Sequence, residues 1–414
     1  MTTEKTTGEH LVVRTTPLAP DAVDSLLSVV PADNPVSWIR NGEGIVGWGV
    51  AAAVRTSGST RFSDAAKWWT EIVARSEVTN EVNEPGTGPV AFGSFAFADD
   101  PGDSVLVLPR IIVGRRGNLA WITTVDSEIP DLAPTDAPRA PVVTFGDGAR
   151  NGDEWMSVVA DAVTRINRGD LEKVVLARDL IATSDEDVDA RWPLRQLSTT
   201  YPTCWTFHVD GLVGATPEML VRRERGLVTS RVLAGTIRRT GDDERDLALA
   251  ATLARSSKDL EEHEYAVRSV AEALEPHCSS MNVPEAPFVL HLPNVMHLAT
   301  DVAGVVHDAA SVSSLDLAAA LHPSAAVGGT PTETATELIT AIEGMDRGRY
   351  AGPVGWLDAA GDGEWGIALR SAHISGPTVR LFAGCGIVGS SDPEAELAES
   401  QAKFIPVRDA LTAS

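Results

Sequence analysis

The run Gly384-Cys385-Gly386-Ile387-Val388-Gly389 matches the G-x-G-x-x-G pattern of a dinucleotide-binding turn, and its surroundings decide which folds are open to the chain. Such a turn belongs to a βαβ unit, in which a second strand follows the helix. Here the helical pattern after the glycines reaches Ser414, so no second strand is expected. Asp409, at the spacing where the fingerprint wants an acid at a strand end, falls inside that helix. Upstream, strand-like and helix-like segments come in mixed order without a clean βαβ alternation, which favours α+β over a doubly wound sheet. The glycines keep a physical use, since they let backbone N–H groups approach an anion closely. Asp392 suits an N-cap and Pro393 the first helical position.

A chain of 414 residues that is 43% hydrophobic can bury a sizeable core, as one large domain or two to three ordinary ones. Its net charge of −24 repels nucleic acid and anionic membranes, and an anionic substrate would need a local cation to be held. No apolar run approaches the roughly 18 residues of a membrane span. The segment from Met1 to Leu11 is polar and carries no signal core, so a cytoplasmic protein is expected. Cys204, Cys278 and Cys385 are scattered and odd in number, which points to a reducing compartment rather than a disulfide framework. Neither a coiled coil nor an interface stripe is evident, so a monomer or weak homodimer is expected.

Residues 1–150 are strand-rich, with strand-like runs at Val36–Arg40, 88–97 and 104–113 and a helix near 63–75 that carries Trp68 and Trp69. Residues 130–150 read as a connecting loop rich in Pro, Asp and Gly. From 151 to 414 the character shifts. A helix at 154–168, a strand at 171–180 and a helical stretch at 243–274 broken near Ser256 are followed by strands at 365–374 and 379–383. A last helix spans 393–411 and carries Pro406, where a kink is expected. Gly88-Pro89-Val90 with Gly102-Asp103-Ser104 echoes Gly352-Pro353-Val354 with Gly363-Glu364-Trp365. Either an old duplication or ordinary hairpin chemistry accounts for that.

Two helices carry acidic faces. Glu396, Glu399 and Lys403 stand at i, i+3 and i+7 on one, and Asp259 and Glu262 at i and i+3 on the other. Carboxylates grouped in this way repel unless a cation joins them, and an all-oxygen set suits a hard ion such as Mg²⁺. Taken singly, each pair reads as a solvated helix face, and periodicity does not say whether the two meet.

Eight segments appear in an order that resembles the chorismate-utilising enzymes. That family includes isochorismate synthases, salicylate synthases and the large subunits of anthranilate and aminodeoxychorismate synthase. The segments are Leu171 to Arg178, Gly214 to Leu220, Leu233 to Thr236, Ser257 to His263, His297 to Thr300, Leu321 to Pro323, Tyr350 to Gly355 and Gly384 to Lys403. The resemblance implies a single large α+β domain of two antiparallel sheets flanked by helices, with the active site in a deep cleft. Residues 1–150 would complete that domain and 151–414 would form its chorismate-binding catalytic region. It implies chorismate as substrate and Mg²⁺ as cofactor. Lys173 falls at the position of the base and Glu218 at that of the acid. Glu262 and Glu399 are implied as the main metal ligands, with Asp259 and Glu396 acting through waters. Gly235, Thr236 and Lys403 would meet the ring carboxylate. Arg370, Tyr350 and the N–H groups around Gly384 would meet the enolpyruvyl carboxylate, and His297 would line the pocket.

Within the family the resemblance lies closest to isochorismate synthase, which serves menaquinone or catecholate siderophore biosynthesis. Aminating relatives generally lack the lysine found here at 173, so Lys173 argues for water as nucleophile. A salicylate synthase, which follows the same step with pyruvate elimination, is the alternative. Cys385 stands where relatives often have Ala, and His322-Pro323-Ser324 where His-Pro-Thr is common. Neither change removes a charged participant.

Overall fold

The computed structural model describes residues 10–291 and 295–413. The side chains of Thr236 and Glu262, both named above, lie outside the described residues. Two sheets of 13 and 10 strands, flanked by helices, make the α+β fold expected from the sequence. All pairings are antiparallel except that of Leu11–Leu18 with Ser76–Asn80.

The order of strands across each sheet reveals an internal repeat. In the larger sheet, Lys173–Ser184, Thr378–Ile387, Ser371–Ser375, Leu212–Thr216 and Trp205–Val209 lead to a central seam. Beyond it come Val36–Arg40, Glu43–Trp48, Ile111–Arg116, Leu119–Val125 and Leu11–Leu18, which mirror the first five. In the smaller sheet, Met219–Glu224, Gly363–Ile367 and Pro353–Asp358 meet Val90–Ser94, Ser104–Leu108 and Ala52–Thr56 in the same way. Eight strands of the first half thus recur in the second with the same pairings. The Gly-Pro-Val echo marks equivalent hairpins, so duplication explains it better than shared turn chemistry.

The strands at the seam are buried throughout, because each sheet is covered on both faces and alternation is lost. Trp38, Trp121, Trp155 and Trp365 are at most 2% exposed and fill this interior. Phe207 stacks on Trp38 across the seam with centroids 6.3 Å apart. Helix Arg61–Ala74 buries Ala65, Trp69 and Ile72 at helical spacing, while Trp68 is only half-buried.

The second half departs from the repeat by an insertion. Long strands Leu227–Arg238 and Val295–Val306 extend the smaller sheet, and helices Asp243–Leu253 and Ser257–Leu274 lie between them. Asp242 and Ser256 cap these helices by accepting from Arg245 N (2.9 Å) and Asp259 N (3.3 Å), which places the break where the sequence put it. No helix among the described residues is long and apolar enough to cross a membrane.

Two local expectations need correction. The run 365–374 is two strands, Gly363–Ile367 in the smaller sheet and Ser371–Ser375 in the larger. The last strand, Thr378–Ile387, continues through Gly384 and Gly386, so these glycines sit in a sheet and not in a turn. The last helix, Pro393–Thr412, carries the buried Pro406 inside it.

Candidate active site

Two corners where the chain passes from one sheet to the other build the centre of the site. Thr216-Pro217-Glu218 joins Leu212–Thr216 of the larger sheet to Met219–Glu224 of the smaller. Ala368-Leu369-Arg370 joins Gly363–Ile367 back to Ser371–Ser375. The corners are tied together, since Ile367 N donates to Glu218 O (3.1 Å) and Ala215 N to Arg370 O (3.3 Å). Arg370 takes a left-handed backbone, with φ of 49°, to make its turn. A non-glycine residue in that region is uncommon and marks a site worth inspection.

Glu218 is half-buried, and burial raises its pKa to about 7 against the opposing pull of Arg370, Lys173 and Lys403. That list places three cations around one carboxyl. Lys173 opens the strand Lys173–Ser184, and its side chain passes over Gly386 of the neighbouring strand. A Cβ at Gly386 would lie 2.9 Å from Lys173 Cε. Gly384 plays a parallel part, because a Cβ there would lie 3.0 Å from the Tyr350 hydroxyl. Tyr350 is buried and stacks on Phe382 at 5.1 Å, and burial pushes its pKa far up, so it stays a neutral donor.

Gly384 faces Ala177 in the ladder without exchanging hydrogen bonds with it. Ala177 N donates instead to Glu343 (2.8 Å), and Gly384 O accepts from Lys403 Nζ (2.8 Å). In an antiparallel strand the N–H of a residue points to the same side as its carbonyl. The Gly384 N–H is therefore directed into the space that Lys403 reaches.

The acidic helices border the same space. Gly235 is the extra residue of a β-bulge, with φ of 74°, between Ala234 and Thr236. A side chain there would meet Asp259 Cβ at 3.2 Å, so the first turn of helix Ser257–Leu274 rests on the bulge. His297 bonds to the Gly235 backbone, and burial, with Arg370 and Lys403 assisting, lowers its pKa to about 4. It also feels the charge of Glu399, so the bulge and the last helix meet around a neutral imidazole.

Glu396 and Glu399 of the last helix and Cys385 of the strand Thr378–Ile387 bring one donor atom each within 4.8 Å of one another. Burial and the nearby Glu399 raise the Glu396 pKa, although Ser391 donates to it at 2.7 Å. Burial also pushes Glu399 up, but the Lys403 ammonium at 2.6 Å and two arginines bring it below the usual carboxylate range. Half of the Glu399 side chain (51%) stays exposed to solvent. The Cys385 thiol is pushed up to about 12 by burial and stays protonated. Two close carboxylates sharing one lysine leave surplus negative charge, and oxygen donors of this kind fit a hard divalent cation.

The sequence reading passed over Glu343 and Arg347, an ion pair whose side chains are at most 2% exposed. They fill a gap in the sheet. The strand Lys173–Ser184 pairs with Gly329–Thr330 at its start and with Val143–Asp147 at its end. Between these, Arg347 donates to Val175 O (2.7 Å) and Glu343 accepts from Ala177 N (2.8 Å). The pair thereby holds the strand that presents Lys173. An acid and an arginine four residues apart read as a surface helix pair, so spacing gave no sign of burial. His263, also missed, bonds Thr300 at 2.8 Å and anchors the acidic helix to the sheet.

A family model described as "Chorismate binding enzyme" matches residues 9–127 and 122–412. The chain is 31% identical over 406 residues to "Isochorismate synthase MenF" of Bacillus subtilis, covering 89% of this chain and 85% of that protein. It is 34% identical over 401 residues to "Salicylate biosynthesis isochorismate synthase" of Pseudomonas aeruginosa, covering 88% and 82%. Among solved structures, the menaquinone-specific isochorismate synthase MenF of Escherichia coli matches with a TM-score of 0.79 at 26% identity, covering 97% of this chain and 94% of that one. Anthranilate synthase component I of Streptococcus pneumoniae, at 20% identity and a TM-score of 0.71, shares the fold.

Proposed function

Because the chain belongs to the chorismate-binding enzyme family, we propose that it is an isochorismate synthase whose water nucleophile is activated by Lys173 and whose leaving group is protonated by Glu218. The observation that carries this reading is the pairing of Lys173 with a Glu218 poised near neutrality in one space. A general acid works best when its pKa lies near the working pH.

Lys173 takes a proton from a water as the water oxygen bonds to C2 of chorismate. The two ring double bonds shift and the C4–O bond breaks. The departing hydroxyl takes the Glu218 proton and leaves as water. Arg370, Tyr350 and the Gly384 N–H supply donors for the enolpyruvyl carboxylate, a guanidinium suiting it by bidentate pairing. The Gly235-Thr236 backbone and Lys403, whose ammonium also reaches Gly384 O, would meet the ring carboxylate. His297, neutral at working pH, borders the reacting ring without adding charge.

Glu262 and Glu399 would hold Mg²⁺, with Asp259 and Glu396 acting through waters. When bound, the ion neutralises the ring carboxylate and draws electron density from the ring. Both menaquinone and siderophore routes consume isochorismate, and the relatives' names divide between them.

Incubating the protein with chorismate, with and without Mg²⁺, EDTA and ammonia, and reading the product by NMR tests this reading. Isochorismate that disappears with EDTA is expected. Salicylate with pyruvate would move the chain to the alternative activity, and an aminated product would sink the water nucleophile.

A further inference from the structure

Glu218 also lines a small cavity of about 20 Å³ that Arg370 does not border. Its polar lining includes Glu218, Ser230, Arg231, Ser269 and Ser324, set among apolar walls such as Leu220 and Val270. That volume suffices for one water, which needs about 10–15 Å³ and two to four polar partners. Ser230 donates its hydroxyl to Leu220 O (2.6 Å) and keeps its oxygen as an acceptor. The Ser324 hydroxyl is sealed from solvent and makes no hydrogen bond to the described residues. A buried polar atom without a partner is uncommon and calls for a reason.

Ser324 does not lack a partner through looseness of its backbone. Its carbonyl accepts from Val327 N (3.1 Å) and Gly328 N (2.9 Å), and Gly328 O accepts from Val175 N (2.9 Å) of the Lys173 strand. Arg347 fixes the same turn through Val327 O (3.0 Å). The hydroxyl is thus held on a rigid turn beside the cavity. At the far wall, Arg231 is 26% exposed and pairs with Asp301, which is 46% exposed, so the cavity borders the surface there.

The reaction creates a need for such a path. Each turnover leaves Lys173 with an extra proton and Glu218 without one. Both must be reset, while ligand in the cleft covers the front of Glu218. We propose that the Ser324 hydroxyl and a single water in this cavity form a relay that returns a proton to Glu218 from the Arg231 side. In the relay the water, held in place by the Ser324 hydroxyl, gives a proton to Glu218 and takes one from solvent at Arg231, while Lys173 gives its extra proton back to solvent, so no charge is left behind. Ser324 acts here as a positioning residue. The inference rests on Glu218 being the general acid.

The test compares the full chain with Ser324→Val, which keeps the volume of threonine without the hydroxyl, and with Ser324→Thr. Ser324→Val should lower kcat for chorismate by about tenfold, a part of what general acid catalysis contributes. KM should hold, the solvent deuterium isotope effect on kcat should grow, and Ser324→Thr should restore both. A second readout is free of turnover: the carboxylic acid band of Glu218, followed by difference infrared titration, should shift to higher pKa in Ser324→Val. Wild-type kcat, isotope effect and titration in Ser324→Val, with Glu218→Gln inactive, would overturn the relay and spare the acid. An active Glu218→Gln variant would overturn both.

Discussion

The two halves of this chain run through the same eight strands, yet only the second gathers charge at its corners. Ala51 and Glu218 both stand immediately before the strand that enters the smaller sheet, and Arg110 and Arg370 immediately before the strand that returns to the larger one. Ala51 is buried and Arg110 exposed, whereas Glu218 and Arg370 are half-buried on two corners that are hydrogen-bonded to each other. The first half packs Ala51 into one apolar core with Ala65, Trp69 and Ile72 of helix Arg61–Ala74. In the second half the insertion 227–306 follows the corner strand Met219–Glu224, and it supplies the Gly235 bulge, His297 and one acidic helix. The repeat makes the corner, and the insertion makes the corner into a cleft.

The largest expected effect separates the halves by chemistry. Lys173→Ala should lower isochorismate formation by about 10²–10⁴-fold, the usual contribution of a general base. It should leave the melting temperature near wild type, since the side chain is only half-buried. A fully active variant would remove the base assignment. By contrast Ala51→Glu places an unpaired carboxylate at the equivalent buried corner, so calorimetry should show lost stability.

Next comes the strand that carries Lys173. Arg347→Ala leaves Glu343 buried and unpaired, which costs about 3–5 kcal/mol when one partner of such a pair is removed. Urea unfolding should show a loss of that size. A loss under about 1 kcal/mol would mean that the pair does not hold the strand.

Glu218 carries a stability signature as well. Burial raises its pKa to about 7, so the native state holds a proton that the unfolded chain releases near 4.5. Its contribution therefore falls as pH rises through that interval and stays low above it. Glu218→Gln removes the dependence and should be the more stable protein at pH 8, by at most about 3 kcal/mol. Asp358, which burial raises to about 7 in the turn between Pro353–Asp358 and Gly363–Ile367, acts in an overlapping window. Asp358→Asn should remove its share separately. The alkaline limb of catalysis follows the same group, with kcat falling above about pH 7. A flat profile up to pH 9 would count against Glu218 as acid.

How much of this was legible in the sequence differs by residue. The break between helices Asp243–Leu253 and Ser257–Leu274 was legible because Ser256 caps the second, and the last helix because Asp392 accepts from Ala395 N at 2.9 Å as an N-cap should. The motifs singled out Lys173 and Glu218, but spacing alone could not say that they face one space. Contacts between distant segments leave no periodic trace. Residues 365–374 read as one strand since the alternation continues across the corner, and a left-handed arginine has no sequence signature. The glycine run read as a turn because glycine is common in turns. Its use here is to leave room over a strand for Tyr350 and Lys173.

The metal end predicts a smaller change. Glu399→Gln keeps the hydrogen bond to Lys403 and loses one negative charge. The Mg²⁺ concentration for half-maximal rate should rise by about 10-fold to 100-fold, the range seen when a metal site loses one of its supports. An unchanged requirement in a Mg²⁺ titration would remove Glu399 from the ligand set.

The smallest effect returns to the comparison through two strand glycines. A Cβ at Gly114 of the first half would lie 2.2 Å from the Trp121 ring, and one at Gly386 of the second 2.9 Å from Lys173 Cε. Trp121 is 1% exposed and cannot move, so Gly114→Ala should cost about 1–3 kcal/mol of stability by overpacking. The lysine end is flexible and can swing aside. Gly386→Ala should therefore leave unfolding almost unchanged while lowering kcat a few-fold, because the base is displaced from the water it must deprotonate. Equal stability losses in both variants would mean that the second-half glycine is structural too, and that the space over its strand is not kept for Lys173.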